Sequence, residues 1–362
     1  MMNRLDIPKY LADVESVASL PLDWEALRGT TVAVSGATGM IGALLVDVLL
    51  SASRERSLGL HVVAIGRNED RAKERLPHFG EPGFSFLEAD VAQSLPESLK
   101  ADYFLHLASP THPRAYSSDP IGTVRANVDG LENMLEATVS SKGAGMRGRL
   151  LLASSVEVYG ENRGDIERFG EDYLGYIDCN TLRACYTEAK RLGEALCQAY
   201  RVQRGVEAVV ARIARVYGPT LLPTDSKALS QFIGKALAGE DVVLKSAGTQ
   251  RYSYLHAADA VSGLLTVLLL GADGGAYNLA DPVSDVRLRD LAATVARAGG
   301  VGVEFGEPDP GEAAGYSKAT LALMDGSKAR SLGWRAHYGI EDGIAETLEV
   351  LRLLWNEGAR CD

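Results

Sequence analysis

Apolar and polar positions alternate with two different periods through about residue 218. Short β-branched apolar runs at 32–35, 61–65, 84–88, 103–108, 150–154 and 207–213 have the composition of buried strands. Between them the apolar residues return with helical spacing: Leu44, Leu45, Val48 and Leu49, then Val124, Val128, Leu131, Met134 and Leu135. The second set predicts one long helix over 121–138, a glycine- and serine-rich loop over 140–148, and a further helix over 182–203. Strand and helix in turn predict an α/β fold, a Rossmann-type doubly wound parallel sheet. Beyond Gly218 and Pro219 the order becomes irregular, with helical patterns at 229–238, 261–270, 288–298 and 344–354, the mark of a smaller C-terminal lobe. Ahead of the first strand, Tyr10, Leu11, Val14, Val17 and Ala18 keep helical spacing until Pro21 stops it.

Composition narrows this picture only at the edges. The chain has 362 residues, 46% hydrophobic and 23% charged, enough for a sizeable core. A net charge of −11 without a long basic block weighs against nucleic acid or an anionic membrane as partner. Cys179, Cys185, Cys197 and Cys361 show no CxxC spacing and read as reduced thiols of a cytoplasmic protein. The first fifteen residues are polar and carry no signal-peptide core, and the apolar stretch at 261–270 is too short to span a bilayer. No His, Cys or Asp cluster has metal-ligand spacing, so no metal is expected, and His106 and His256 read as structural.

The first strand runs into Gly36, Gly39 and Gly42, with Thr38, Met40 and Ile41 between them, and then into a helix. In that context glycines permit a tight turn, close backbone approach and a helix N-terminus aimed at a pyrophosphate. The bland alternative is a Rossmann-like domain that has lost its ligand. The second strand ends in Gly66-Arg67-Asn68 with no acid to bind adenine ribose hydroxyls, so the cofactor is NAD or NADP; Arg67 leans toward the 2′-phosphate of NADP, with adenine stacking or a solvated side chain as its other readings. Asp90 and Val91 follow the third strand, where the adenine edge is expected. Leu107, Ala108 and Ser109 close the fourth, beside the expected nicotinamide ribose. The division predicted is an extension over 1–29, a dinucleotide-binding domain over 30–218 with a returning segment near 252–282, and a mainly substrate-binding lobe over 219–362.

Tyr186 and Lys190 stand four apart in the predicted helix and project from one face. A neighbouring ammonium favours the phenolate and makes a base able to take a hydroxyl proton near neutrality. Ser155, at a strand end, supplies the hydroxyl that bonds the same substrate oxygen. Against this stands the plain reading of a core tyrosine beside a solvated lysine.

With these residues the chain resembles the extended short-chain dehydrogenase/reductase family, in its nucleotide-sugar branch, over about residues 31–355. The glycine turn, Asp90-Val91, Ser155, Tyr186, Lys190 and the closing segment Asp325-Gly-Ser-Lys-Ala with Leu332-Gly333-Trp334 carry the likeness. Within the branch it is most similar to the UDP-glucuronate decarboxylases, through His106-Leu-Ala-Ser-Pro110, Glu171-Asp-Tyr-Leu-Gly175 and Arg183-Ala-Cys-Tyr-Thr-Glu-Ala-Lys-Arg191. The resemblance implies a tightly held NAD(P), a nucleotide-sugar substrate oxidised at C4, a homodimer, and Glu157 as an acid/base or water-positioning group near C5.

Four places depart from that pattern. Val156 stands where the decarboxylases carry Ser and the 4,6-dehydratases an Asp acid. Tyr252 takes the place of an Arg associated with the sugar carboxylate, with Arg251 adjacent. Arg215 replaces the Asn before Tyr-Gly-Pro. Lys227 sits where an Arg often meets the diphosphate. Arg215, Lys227, Arg251 and Tyr252 are therefore the candidate substrate contacts. The rival readings are a nucleotide-sugar epimerase, an NADPH-dependent ketosugar reductase and, outside catalysis, a dinucleotide-sensing regulator.

Overall fold

The computed structural model describes residues 2–111, 113–307 and 319–358; Cys361 lies outside them. Helix α1 (Pro8–Ala18) leads to strand β1 (Thr31–Ser35), α2 (Met40–Arg56), β2 (His61–Gly66), α3 (Glu69–Arg75), β3 (Phe84–Glu88) and β4 (Tyr103–His106). Three helices follow, α4 (Pro113–Ser118), α5 (Pro120–Asn127) and α6 (Asp129–Gly143), then β5 (Arg149–Ser155), α7 (Ala184–Arg204), β6 (Glu207–Ile213) and the short β7 (Arg215–Tyr217). The remainder comprises α8 (Ala228–Leu237), β8 (Val242–Leu244), β9 (Arg251–His256), α9 (Ala257–Leu270), β10 (Ala276–Leu279), β11 (Asp285–Arg287), α10 (Leu288–Gly299), β12 (Val303–Phe305), β13 (Leu321–Ala322), α11 (Ser327–Ser331) and α12 (Ile340–Gly358).

Seven parallel strands form the main sheet in the order β10-β6-β5-β4-β1-β2-β3. Because both faces are covered, β4 and most of β1, β5 and β6 are buried throughout, which is why they read as unbroken apolar runs. On one face lie α2 and α9; on the other lie α6 and α7. The order reverses between β1 and β4, and the carboxyl ends of those two strands open the crevice in which such sheets bind ligands. A smaller sheet joins β9 to β11, β13 and β7, so β7 passes the chain from the main sheet to the lobe while α9 and β10 return it.

Three elements differ from expectation for identifiable reasons. The helix expected over 121–138 divides at Val128, where Asn127 turns its amide back onto the Thr123 carbonyl (2.8 Å), a bond that bends helices. Its second half then runs on to Gly143, into the segment read as a loop, held by the Ser141 hydroxyl on the Ala137 carbonyl (2.8 Å). Helix α9 starts at Ala257 because His256 caps it through Nδ1, which accepts the Ala258 amide (3.3 Å).

The N-terminal extension is part of the core. Helix α1 packs on α2 and α9 and makes a third layer, so α2 is buried on almost all sides. That leaves Asp47, inside α2, wholly buried, and the extension supplies its counter-charge. Arg4 donates to both Asp47 oxygens (2.7 and 2.8 Å), Tyr10 donates its hydroxyl, and His78 Nε2 lies 2.8 Å away. Burial opposes the Asp47 charge, yet Arg4 and His78 outweigh it and hold the carboxyl below its usual range. Arg4→Ala strands that carboxylate. It is expected to cost ~3–5 kcal/mol of unfolding free energy in urea titration at neutral pH; a loss below ~1 kcal/mol would show that the extension does not anchor α2.

Candidate active site

At the reversal point the backbone turns through Gly36, in the left-handed region at φ +70°. A side chain there would meet the Ala108 nitrogen at 2.7 Å and the Leu107 carbonyl carbon at 2.8 Å, so the turn lies directly against the end of β4. At Gly42 an added carbon would fall 2.3 Å from the Gly36 oxygen, which makes the turn and the first coil of α2 a single close-packed unit. Gly39 caps α2 with no side-chain bond and the first turn holds no acid. The amides of Met40, Ile41 and Gly42, free of intrahelical acceptors, are the positive end of that helix. This cradle suits the pyrophosphate of a dinucleotide.

The surrounding residues are arranged around the turn. The Thr38 carbonyl accepts from Arg75 Nε (3.3 Å), and Arg75 also bonds the Thr220 carbonyl (2.6 Å), tying the turn to the lobe. Arg67 is exposed at the end of β2, and Asn68 caps α3. Asp90 is exposed and accepts the Ala92 amide (3.0 Å), whereas Val91 is buried beneath Gly130 of α6. Ser109, intermediate in exposure, donates its hydroxyl to the Pro110 carbonyl (3.0 Å). His106 is buried, 2.9 Å from the Ser35 hydroxyl, and burial followed by the Lys190 charge lowers it to about 3, so it is a neutral strut between β1 and β4.

Ser155 ends β5, two strands along, and Tyr186 and Lys190 stand buried on the α7 face turned toward it. The Ser155 hydroxyl accepts the Glu157 amide (3.3 Å) and lies near enough to the Tyr186 phenol to favour its ionised form. Lys190 donates Nζ to the Ala153 carbonyl (2.8 Å) and lies 5.8 Å from the centre of the Tyr186 ring. The expectation that the lysine by itself makes the phenol acidic needs correction. Burial pushes Tyr186 up to about 12, the neighbouring Ser155 hydroxyl draws it down, Glu157 raises it, and Arg183 and Arg215 lower it. Burial also brings Lys190 down to about 8, so its ammonium is itself weakened.

Among the described residues, the partners of the Glu157 carboxylate are two arginines. It takes Arg183 Nη2 on one oxygen (2.8 Å) and Arg215 Nη2 on the other (3.2 Å). The Arg215 guanidinium carbon lies 3.7 Å from the centre of the Tyr252 ring, and Tyr252 donates its hydroxyl to the Ala319 carbonyl (2.7 Å). Tyr116 stacks on Tyr186 at 4.9 Å, and Arg183 lies over Tyr116 at 4.6 Å. Of the four candidate substrate contacts, the fold thus brings Arg215 and Tyr252 to the Glu157–Tyr186 group. Arg251, exposed and one residue along the strand, belongs to the opposite face of β9 from Tyr252. Lys227 begins α8 and pairs with Asp225 (2.7 Å), which lines a cleft of about 420 Å³ with Arg114, Ser226, Gln231 and Lys245. Arg183 and Tyr116 were not among the candidates; their only sequence signal was the arginine three residues before Tyr186.

The sequence offered no metal-ligand spacing, yet Asp13, His256 and Glu346 meet in the core with ligand atoms within 4.8 Å of one another. They come from α1, the end of β9 and α12, a separation no local motif reveals. His256 Nδ1 accepts the Ala258 amide, so Nε2 carries the proton and donates to Glu346 (2.9 Å). That geometry spends both ring nitrogens on the protein.

A doubly wound sheet with a glycine cradle at its reversal point and Ser155, Tyr186 and Lys190 beside it defines a dinucleotide-dependent enzyme of the short-chain dehydrogenase/reductase class. The family model for the NAD dependent epimerase/dehydratase family matches residues 32–280, and the chain belongs to that family. It is 33% identical over 327 residues to UDP-glucuronic acid decarboxylase 3 of Arabidopsis thaliana, covering 89% of each chain. To UDP-glucuronic acid decarboxylase 1 of Xenopus tropicalis it is 31% identical over 326 residues, 88% of this chain and 71% of that one. Among solved structures, the epimerase Mth375 of Methanothermobacter thermautotrophicus shares the fold with a TM-score of 0.78 at 20% identity, covering 98% of both chains. UDP-glucuronic acid 4-epimerase of Bacillus cereus, in complex with UDP-glucuronic acid and NAD, shares it at 0.76 and 22% identity, covering 90% of this chain and 99% of that one.

Proposed function

We propose that the protein decarboxylates a nucleotide-activated uronic acid, a UDP-glucuronate-type substrate, through oxidation at C4 of the sugar. The observation that carries this reading is the Ser155–Tyr186–Lys190 group, gathered at the end of β5 and on the buried face of α7, in a chain whose curated relatives are UDP-glucuronic acid decarboxylases. A bound oxidised nicotinamide supplies a positively charged ring and a place to hold the C4 hydride. Ser155 orients the C4 hydroxyl and Tyr186 receives its proton. Lys190 keeps positive charge on the tyrosine's own helix, four residues on. With C4 a ketone, the C5 carboxylate belongs to a β-keto acid. Its carbon–carbon bond breaks, CO2 leaves, the electron pair enters the carbonyl as an enolate, and a proton from solvent at C5 restores the ketone, which can then take back the C4 hydride. Glu157, with a guanidinium on each oxygen, fixes Arg183 and Arg215 in this scheme.

The remaining assignments rest on single features. Arg67, exposed at a strand end without an acid, supports NADP as the cofactor. Ile121 and Val124 on α5 and Leu182 and Leu192 beside and on α7 are exposed although apolar, which supports a homodimer through these helices. Among the described residues no helix is long and apolar enough to cross a membrane, and Cys179, Cys185 and Cys197 are free thiols, in keeping with a cytoplasmic protein.

The direct test is incubation with UDP-, dTDP-, CDP- and GDP-sugars followed by mass spectrometry. Loss of CO2 from a uronic acid is expected; an isomer of unchanged mass would make the enzyme an epimerase, and loss of water a dehydratase. Tyr186→Phe is expected to lower turnover on the order of 10²–10⁴-fold with cofactor binding intact; near-normal turnover would remove the tyrosine as the proton acceptor. Dinucleotide released by heat identifies the cofactor, and Arg67→Ala is expected to weaken NADP binding about tenfold while sparing NAD. Equal effects on both would count against a 2′-phosphate contact.

A further inference from the structure

Beside Tyr186, three guanidinium nitrogens are buried without an acceptor among the described residues: Nε and Nη1 of Arg183 and Nη1 of Arg215. Charged donors withdrawn from water and left unpaired are costly, and a fold retains them together where a ligand completes them. Their other contacts leave those edges for an outside group. Each arginine spends Nη2 on Glu157, and each flat face is covered by a ring, Tyr116 for Arg183 and Tyr252 for Arg215. One carboxylate thus serves two guanidinium groups, and the cluster holds one positive charge in surplus.

We propose that Arg183 and Arg215 form a clamp for the carboxylate of an acidic sugar, with Glu157 as the resident counter-ion that holds the two guanidinium groups in place. The inference rests on the reading of this site as one that oxidises a uronic acid. Position favours the sugar over the nucleotide, because Tyr116 stacks on Tyr186 and links Arg183 to the phenol that meets the sugar hydroxyl. Charge favours a carboxylate over a diphosphate, since the surplus is one and not two. Tyr252 takes no anion itself, with its hydroxyl given to the Ala319 carbonyl and its face to Arg215. A neutral sugar leaves the buried donors unpaired, so the clamp discriminates by absence of an acceptor as well as by attraction.

The test compares UDP-glucuronate, UDP-glucose and UDP as ligands of the cofactor-loaded protein by calorimetry. The acidic sugar is expected to bind about 10- to 100-fold more tightly than the neutral one. Arg183→Gln and Arg215→Gln are each expected to bring that ratio toward unity with UDP affinity unchanged, and Arg215→Lys to restore part of it. Unchanged UDP affinity also shows that each variant is folded; where a Gln variant loses UDP binding, the wild-type ratio and Arg215→Lys decide. A wild-type protein that does not distinguish the two sugars overturns the clamp, as does a ratio that survives both Gln changes. Release of CO2 with an arginine-independent ratio overturns the clamp and leaves decarboxylation standing. An arginine-dependent ratio without CO2 release supports the clamp and removes the decarboxylase reading.

Discussion

The approach of Gly36 to the backbone of Leu107 and Ala108 is the constraint on which the site depends. Two parallel strands of a doubly wound sheet diverge in their connections at this point, and their carboxyl ends are separated by less than the width of a side chain. Only a residue without Cβ, in the left-handed region, lets the first strand turn there and begin α2 directly behind it. With the turn so tight, the uncapped start of α2 points at the crevice and Ser155 arrives from two strands away at the same level. A larger residue at Gly36 would displace both partners of the crevice together.

Charge burial organises the rest of the molecule around that crevice. Helix α2 is covered by α1 and α9, and its buried acid, Asp47, is neutralised from the N-terminal extension through Arg4. The Arg4 guanidinium also donates to the Arg75 carbonyl, and Arg75 in turn bonds the Thr38 carbonyl in the glycine turn. The extension therefore reaches the glycine turn through two consecutive arginines. On the other side of α1, Asp13 accepts the Tyr338 hydroxyl and lies with His256 and Glu346, closing the extension onto the C-terminal helix. Burial raises Asp13 to about 6 and Glu346 to about 7, so this second anchor is strongest while protons remain to be shared between the two carboxyls.

At the chemical centre the same rule acts in the opposite sense. Burial pushes the Tyr186 phenol up and the Lys190 ammonium down, so neither group alone is poised for proton transfer in the protein without its ligands. Arg183 and Arg215 are the positive charges that offset this, and Glu157 limits them. Two of the chain's departures from the decarboxylase pattern, Arg215 and Tyr252, fall in this cluster, where Arg215 lies over the ring of Tyr252. A cation moved from one strand to its neighbour can reach the same volume, which a position-by-position comparison records as a loss.

The sequence by itself determined the alternating strands and helices, the glycine turn and the Tyr186–Lys190 face, because each is a local pattern whose period or spacing is set by the backbone. Strands β3 and β6 fall on the expected residues, while helix ends moved wherever a polar side chain, Asn127 or His256, bonds its own backbone. Tertiary structure alone decided which charges meet. The Arg4–Asp47 pair joins residues 43 apart, the Glu157–Arg215 pair residues 58 apart, and Asp13 reaches Glu346 across nearly the whole chain. Spacing along a strand or helix carries no information about such pairs. Their partners are selected by which elements share a face of the sheet and by the need of each buried charge for an opposite one.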